Sequence, residues 1–403
     1  MSRTSSAFLR AITGTALMAG AALAFSAHPS KADDYKWPKY FNVITPIVSS
    51  ANHSLAVAWT GVFSQDTGVR VRVLPTSGAY SRAEWLDTHQ GRLSLYQPSD
   101  YFDQMDAVEG YSTRTAGPHD TRLAYINLVT PWGYMVRGDS SIHTFKDIKK
   151  GTRVVFYSAS TFIANGMRAG LALAGLTEND VDKVEVGGYA ANTKVVTEGR
   201  GEITFTSPLS GTSYEAEANP KGIRWLAVNR NDPNFAKYRA LQAGYILQKT
   251  VSGTKSAIGV VMDHAYQSNH VRADEDPDFI YHLCKWLDQN LDKFKGKFTH
   301  AHMMSIQSLV SYLDAGALEP LHEGTIRYLK EKGLWKPKYQ ERQDKIVALA
   351  HKYVKVFDDA MDAAGEQKIM VDTPNAKWQK FLADYKKSHG ITRSIGAEIN
   401  AIQ

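Results

Sequence analysis

From residue 40 onward the chain alternates short apolar strands with helical stretches, and that alternation confines it to sheets covered by helices. Residues 40–44, the strictly alternating 69–73, then 93–96, 152–157, 184–186, 203–205 and 223–228 read as strands. Residues 123–129 and 133–137 read as two more, with a break expected at Thr130-Pro131-Trp132. Leu55, Trp59, Val62 and Phe63 recur at helical spacing, as do Phe162, Ile163, Met167, Leu171 and Ala174 before a stop at Gly175. A helix is expected near 81–89, and beyond Asp276 the pattern is mostly helical to the end. The expected class is α/β with parallel sheets, and 403 residues exceed the usual size of one domain.

The N-terminus carries its own signal. Arg3 and Arg10 precede an apolar, small-residue run from Ala11 to Ala27, with no acidic residue before Asp33. Two small-residue cleavage patterns follow, Phe25-Ser26-Ala27 and Ser30-Lys31-Ala32, so residues 1–32 read as a cleaved signal peptide and the mature chain as periplasmic. The formal charge is +6, and removing Arg3, Arg10 and Lys31 with no acids leaves +3. That small surplus, without interleaved basic and aromatic runs, is no nucleic-acid footprint. Cys284, the single cysteine, rules out a lipid anchor at the cleavage point and reads as a buried small hydrophobe on a helix.

Three segments share one design, a strand followed by small hydroxyl residues and a helix. They are Ser49-Ser50-Ala51-Asn52, Thr76-Ser77-Gly78-Ala79 and Ser158-Ala159-Ser160-Thr161. The first turn of a helix leaves N–H groups unpaired beside a partial positive charge, which suits a carboxylate. Each segment alone is also an ordinary N-cap. Together, at the carboxyl ends of strands, they are the expected binding site, with Tyr80 and Tyr245 as candidate lining aromatics and His53 beside them.

Catalytic patterns are weak. There is no Gly-x-Ser-x-Gly elbow and no Gly-rich phosphate loop. His300 and His302 alternate on a helical stretch where their side chains diverge, and Asp274, Glu275, Asp276 and Asp278 fit a solvated helix start. The expectation is no enzyme, no metal and no cofactor.

One stretch is specific enough to suggest a family. The run Glu319-Pro320-Leu321-His322-Glu323-Gly324-Thr325, continuing through Tyr328 and Glu331-Lys332-Gly333-Leu334, resembles the ending of the TAXI family. These are solute-binding subunits of tripartite ATP-independent periplasmic (TRAP) transporters. Residues 145–154, with Asp147-Ile148-Lys149-Lys150-Gly151, are similar to a second element of that family, 169–177 to a helix ending in Gly-Leu-Thr, and 95–100 to a strand end. The resemblance covers about residues 40–335. It implies a two-lobed, type II periplasmic binding fold closing on a small organic anion, a carboxylate or amino acid, for an ion-gradient-driven membrane transporter.

Carried over by position, the family's ligand contacts fall on Ser49, Ser50 and Asn52, on Thr76, Ser77, Gly78 and Tyr80, and on Ser158, Ser160 and Thr161, with Tyr245 nearby. Here Ser49-Ser50 and Ala159 stand where the family has glycines, which narrows the approach to the backbone. The expected lobes are 40–129 plus 251–335 and 130–250, hinged near Val129-Thr130 and 245–251, with residues 336–403 a helical extension packing back on a lobe. The protein is expected as a monomer or homodimer. Alternatives are a receptor for an ATP-driven importer, a ligand sensor for a membrane kinase, or a periplasmic enzyme.

Overall fold

Ten strands and fourteen α-helices follow one another in the described residues of the computed structural model, which are 35–402 except 49, 77, 159 and 160. The expected signal peptide lies outside them. The chain divides into two units, 1–36 and 37–403, and every element below belongs to the second.

First come β1 (Tyr40–Thr45), α1 (Ala51–Thr67), β2 (Arg70–Pro75), α2 (Ala79–Asp87), β3 (Leu93–Tyr96) and α3 (Pro98–Met105). The middle of the chain gives β4 (Thr121–Arg137), β5 (Arg153–Phe156), α4 (Thr161–Ala174), β6 (Asp182–Glu185), α5 (Tyr189–Thr197), β7 (Ile203–Thr206), α6 (Gly211–Glu217), β8 (Ile223–Leu226), α7 (Phe235–Leu241), β9 (Ile246–Lys249) and β10 (Val261–Arg272). Helices then complete it: α8 (Pro277–Gln289), α9 (Leu291–Phe294), α10 (Ile306–Asp314), α11 (Glu323–Glu331), α12 (Pro337–Glu366), α13 (Ala376–Ser388) and α14 (Ile395–Ala401).

The fold is α/β, as expected, but the sheet is mixed rather than parallel. β1 lies between β2 and β3, parallel to both, and β5 is parallel to β6 and β7. β10 runs antiparallel to β3, β4 and β9. β4 continues unbroken through Pro131, which corrects the expected break. Up to Trp132 it pairs with β10, and from Gly133 with β7 and β8. Pro131 thus stands where the strand changes partners, so its missing N–H interrupts little of the ladder. Two half-sheets share this one strand.

Alternation along β4 distributes the core. Tyr134 and Val136 point into a cluster with Phe156, Met167 and Phe205, while Met135 packs on the opposite face with Val155 and Trp225. Helix α4 sits tightly on the first face because Gly166 and Gly170 leave room there; a Cβ at either would overlap the Phe205 or Tyr134 ring. In the other half, Trp37, Phe41, Phe63, Phe279 and Trp286 meet edge to face. Cys284 is buried there, and burial raises its thiol to about 12, well above any nucleophilic range.

The C-terminal helices pack back on the α/β body. Trp378 is fully buried with Phe357, Met361 and Leu382, and its indole N–H donates to the Ser112 carbonyl (2.7 Å). Helix α14 touches both halves. The Ile395 amide donates to Asp106 beside α3 (2.9 Å), and the Asn400 carboxamide accepts from Arg239 on α7 (2.6 Å).

Candidate functional site

The first two hydroxyl-rich loops adjoin because β1 and β2 do. Thr76 donates its amide to the Thr45 carbonyl (2.8 Å), and its hydroxyl to the Gly78 carbonyl (3.1 Å). The Thr45 hydroxyl meets His53 Nδ1 at 2.8 Å, and burial lowers the His53 pKa, favouring the neutral ring. Ser50 caps α1 through the His53 amide, so its side chain is committed to the helix. Gly78 begins α2 without any side-chain cap, leaving the first turn of that helix open.

Asn52 is held from below. Its side-chain oxygen accepts from Asn127 Nδ2 at 2.6 Å, and Asn127 is fully buried. The register between β4 and β10 skips Asn127, pairing Leu128 with Gln267 and Ile126 with Ser268. That bulge turns the Asn127 carboxamide toward α1. Its own Oδ1 has no partner among the described residues.

Other expected residues are engaged elsewhere. The Tyr80 hydroxyl donates to Glu109 (2.9 Å) and its ring lies edge-on to Tyr111, packed over Gly110. Ser158 donates to both oxygens of Glu185 (3.0 Å each). Ser49, Ser77 and Ser160 lie outside the described residues, and Thr161 opens α4. His300 precedes a short 3-10 turn and His302 lies within it, and no group of three or more His, Cys, Asp or Glu among the described residues is set for a metal. Asp276 caps α8 by accepting from the Asp278 amide, the helix start read from the sequence.

Tyr245 lies where α3, α4, the segment after α7 and α14 meet. Its ring stacks on Phe162, in the first turn of α4, with centroids 4.9 Å apart. The two line a recess of about 290 Å³ with Ser99, Phe102 and Asp103 of α3, Asp106, Asn165 of α4, Gln242, and Ser394 and Gly396 at α14. Elements from both half-sheets and the C-terminal helices therefore share one wall. Gly244 and Gly396 let the chain close around Phe102; a Cβ at either would come within 3.0 Å of that ring.

Gln242 is only 1% exposed, yet both atoms of its carboxamide lack partners among the described residues. Burial pushes the Asp106 carboxyl up to about 6, against the Ile395 amide and Lys386, which lower it. Asp103 opens to solvent at the rim. Desolvation in the recess, then Asp100, Asp106 and Glu109, hold its carboxyl above the usual range.

Of these residues only Tyr245 was singled out from the sequence. Asn127, Gln242 and the α3 face escaped because neither periodicity nor turn chemistry marks them. The one available signal is Ser99-Asp100, just past the end of β3 in the first turn of α3.

The sequence profile of the NMT1-like family matches residues 51–333, which spans α1 through α11 and leaves out α12 to α14. No curated protein matches the chain. Among solved structures, similar ones include the periplasmic aliphatic sulphonate binding protein SsuA from Escherichia coli, at 14% identity over 91% of this chain and 93% of that one (TM-score 0.39). An R. palustris protein solved with adipate is 14% identical over 78% of this chain and 99% of that one (TM-score 0.41). The L-cystine solute receptor of Neisseria gonorrhoeae is 14% identical over 66% of this chain and 95% of that one (TM-score 0.38). Values this low leave the ligand to the geometry of the site itself.

Proposed function

The chain belongs to the NMT1-like family, and from that premise we propose that it is a solute receptor that holds a small organic acid or amino acid between its two half-sheets. The observation that carries the reading is the recess at Tyr245, where α3 from one half and Phe162 and Asn165 of α4 from the other face the same space. Small-molecule sites favour such junctions, with an aromatic wall and a few polar groups.

The acid group of the ligand would lie at the strand-end loops, on Asn52, Thr76, the open first turn of α2 at Gly78, and the start of α4. Ser49, Ser77 and Ser160 complete that proposal from the sequence. The body of the ligand would reach Tyr245 and Phe162. Hinge bending would fall on the strands that join the halves, β4 near residues 128–132 and β10 near 263–267. We take the return crossing at β10 rather than at the expected residues 245–251, a choice supported by Thr254 and Ser256, which accept from Trp225 of β8. The receptor would be exported to the periplasm by a cleaved signal peptide. It would serve a membrane transporter, of the TRAP type that the TAXI resemblance implies.

Mass spectrometry of small molecules released on denaturing the freshly purified chain tests this. A stoichiometric organic acid or amino acid is the expected result. Release of only a lipid or a polyphosphate argues against it.

A further inference from the structure

Resting on the receptor reading, the recess carries a second piece of information, the charge of what enters it. Asp103 and Asp106 both line it. Among the described residues no lysine, arginine or histidine comes within ion-pair distance of Asp103, whereas the nearby Asp100 is already paired with Arg82 (2.5 Å). Asp106 is partly served, since its Oδ1 accepts the Ile395 amide and Lys386 lies close enough to lower its pKa. The nearest commitment of Lys386 itself is the Asp106 backbone carbonyl (2.7 Å), not a carboxylate. The recess is therefore left with a carboxylate that no protein cation neutralises.

Two carboxylates alone would mean little on a protein surface. The independent observation is Gln242, which lines the same recess with neither its carbonyl nor its amide group hydrogen-bonded among the described residues. An unmade bond of that kind, more than nine-tenths buried, is uncommon without a ligand or water to complete it. Phe102, Phe162 and Tyr245 supply the remaining wall. Aromatic rings around a carboxylate favour an ammonium group on an apolar body, since ring faces attract cations and reject anions.

We propose that this recess binds the ammonium end of the ligand, with Asp103 as its counter-ion and Gln242 as its neutral hydrogen-bond partner, so that the solute is an amino acid or related amine rather than a simple dicarboxylate. Ser394 and Gly396 help close the recess from outside the span matched by the family profile.

Three probes of one shape separate the charges: phenylalanine, phenethylamine, which lacks the carboxylate, and 3-phenylpropanoate, which lacks the ammonium. Titrated calorimetrically into the full chain, phenylalanine is expected to bind at least tenfold more tightly than 3-phenylpropanoate. Asp103→Asn should lower the affinity for phenylalanine and phenethylamine roughly tenfold, the size of one charge-assisted hydrogen bond, and leave 3-phenylpropanoate unchanged. That variant removes like-charge repulsion at an exposed position, so its folding is not at risk. Gln242→Leu should weaken both amines as well. Equal or tighter binding of 3-phenylpropanoate, no binding of either amine, or indifference of the amines to Asp103→Asn would overturn the proposal. Binding of 3-phenylpropanoate or a dicarboxylate alone would do so while leaving the receptor reading intact.

Discussion

Asn127 is aimed at Asn52 by a single skipped position in the β4–β10 register, and the bond it makes lies in the interior. Removing one partner of such a pair leaves the other desolvated and unbonded. Asn127→Ala should therefore destabilise the chain by ~1–3 kcal/mol in urea titrations, more than an exposed asparagine would. Asp263 offers a pH test. It is 1% exposed on β10, accepts from the Tyr238 hydroxyl at 2.5 Å, and burial raises it to about 6 although Arg239 opposes the shift. A folded-state pKa above the unfolded value means that the native state retains a proton the unfolded chain has released. Stability should then fall as pH rises from about 4 to about 6. Asp106, raised in the same direction, adds to the decline. In Asp263→Asn the decline between those pH values should shrink by a kcal/mol or so, measured as urea midpoints across that range.

At the scale of elements, the C-terminal helices are held by a few buried contacts and many exposed ones. Trp378 fills the cluster on α12 and bonds to Ser112, whereas Lys380 two residues on makes only an exposed pair with Asp384. Trp378→Ala should cost ~3–5 kcal/mol and Lys380→Ala no more than ~0.5 kcal/mol in the same denaturation experiment. What the sequence revealed follows the same physics. β1, β3, α4 and the helical C-terminus were legible because apolar residues recur at the period of each element. β10, the strand between β3 and β4, was not. Its buried residues include Asp263, His264, Ser268, Asn269 and His270, so it has no apolar alternation to read. Its identity comes from tertiary partners such as Glu319, which faces His270 at 3.5 Å and accepts from Ser268 and Tyr312. The strand-end loops were legible as helix starts. The recess was not, since α3, α4, Gln242 and α14 are brought together only by the fold.

For the whole molecule, two half-sheets are joined by β4 and β10 and spanned by α14. A solute gripped by both halves should draw them together, because only contacts made to both favour the closed form. Small-angle scattering of the full chain should then give a smaller radius of gyration at saturating ligand, and an unchanged radius would mean that binding involves one half alone. The most direct measurement is calorimetric titration of the full chain and of Phe162→Ala against a panel of amino acids and dicarboxylates. The expected result is one solute bound one to one by the native chain, with affinity reduced at least tenfold in Phe162→Ala, the cost of losing an aromatic wall. A solute bound equally by both proteins, or no member of the panel bound by the native chain, would contradict a receptor whose site is the recess at Tyr245.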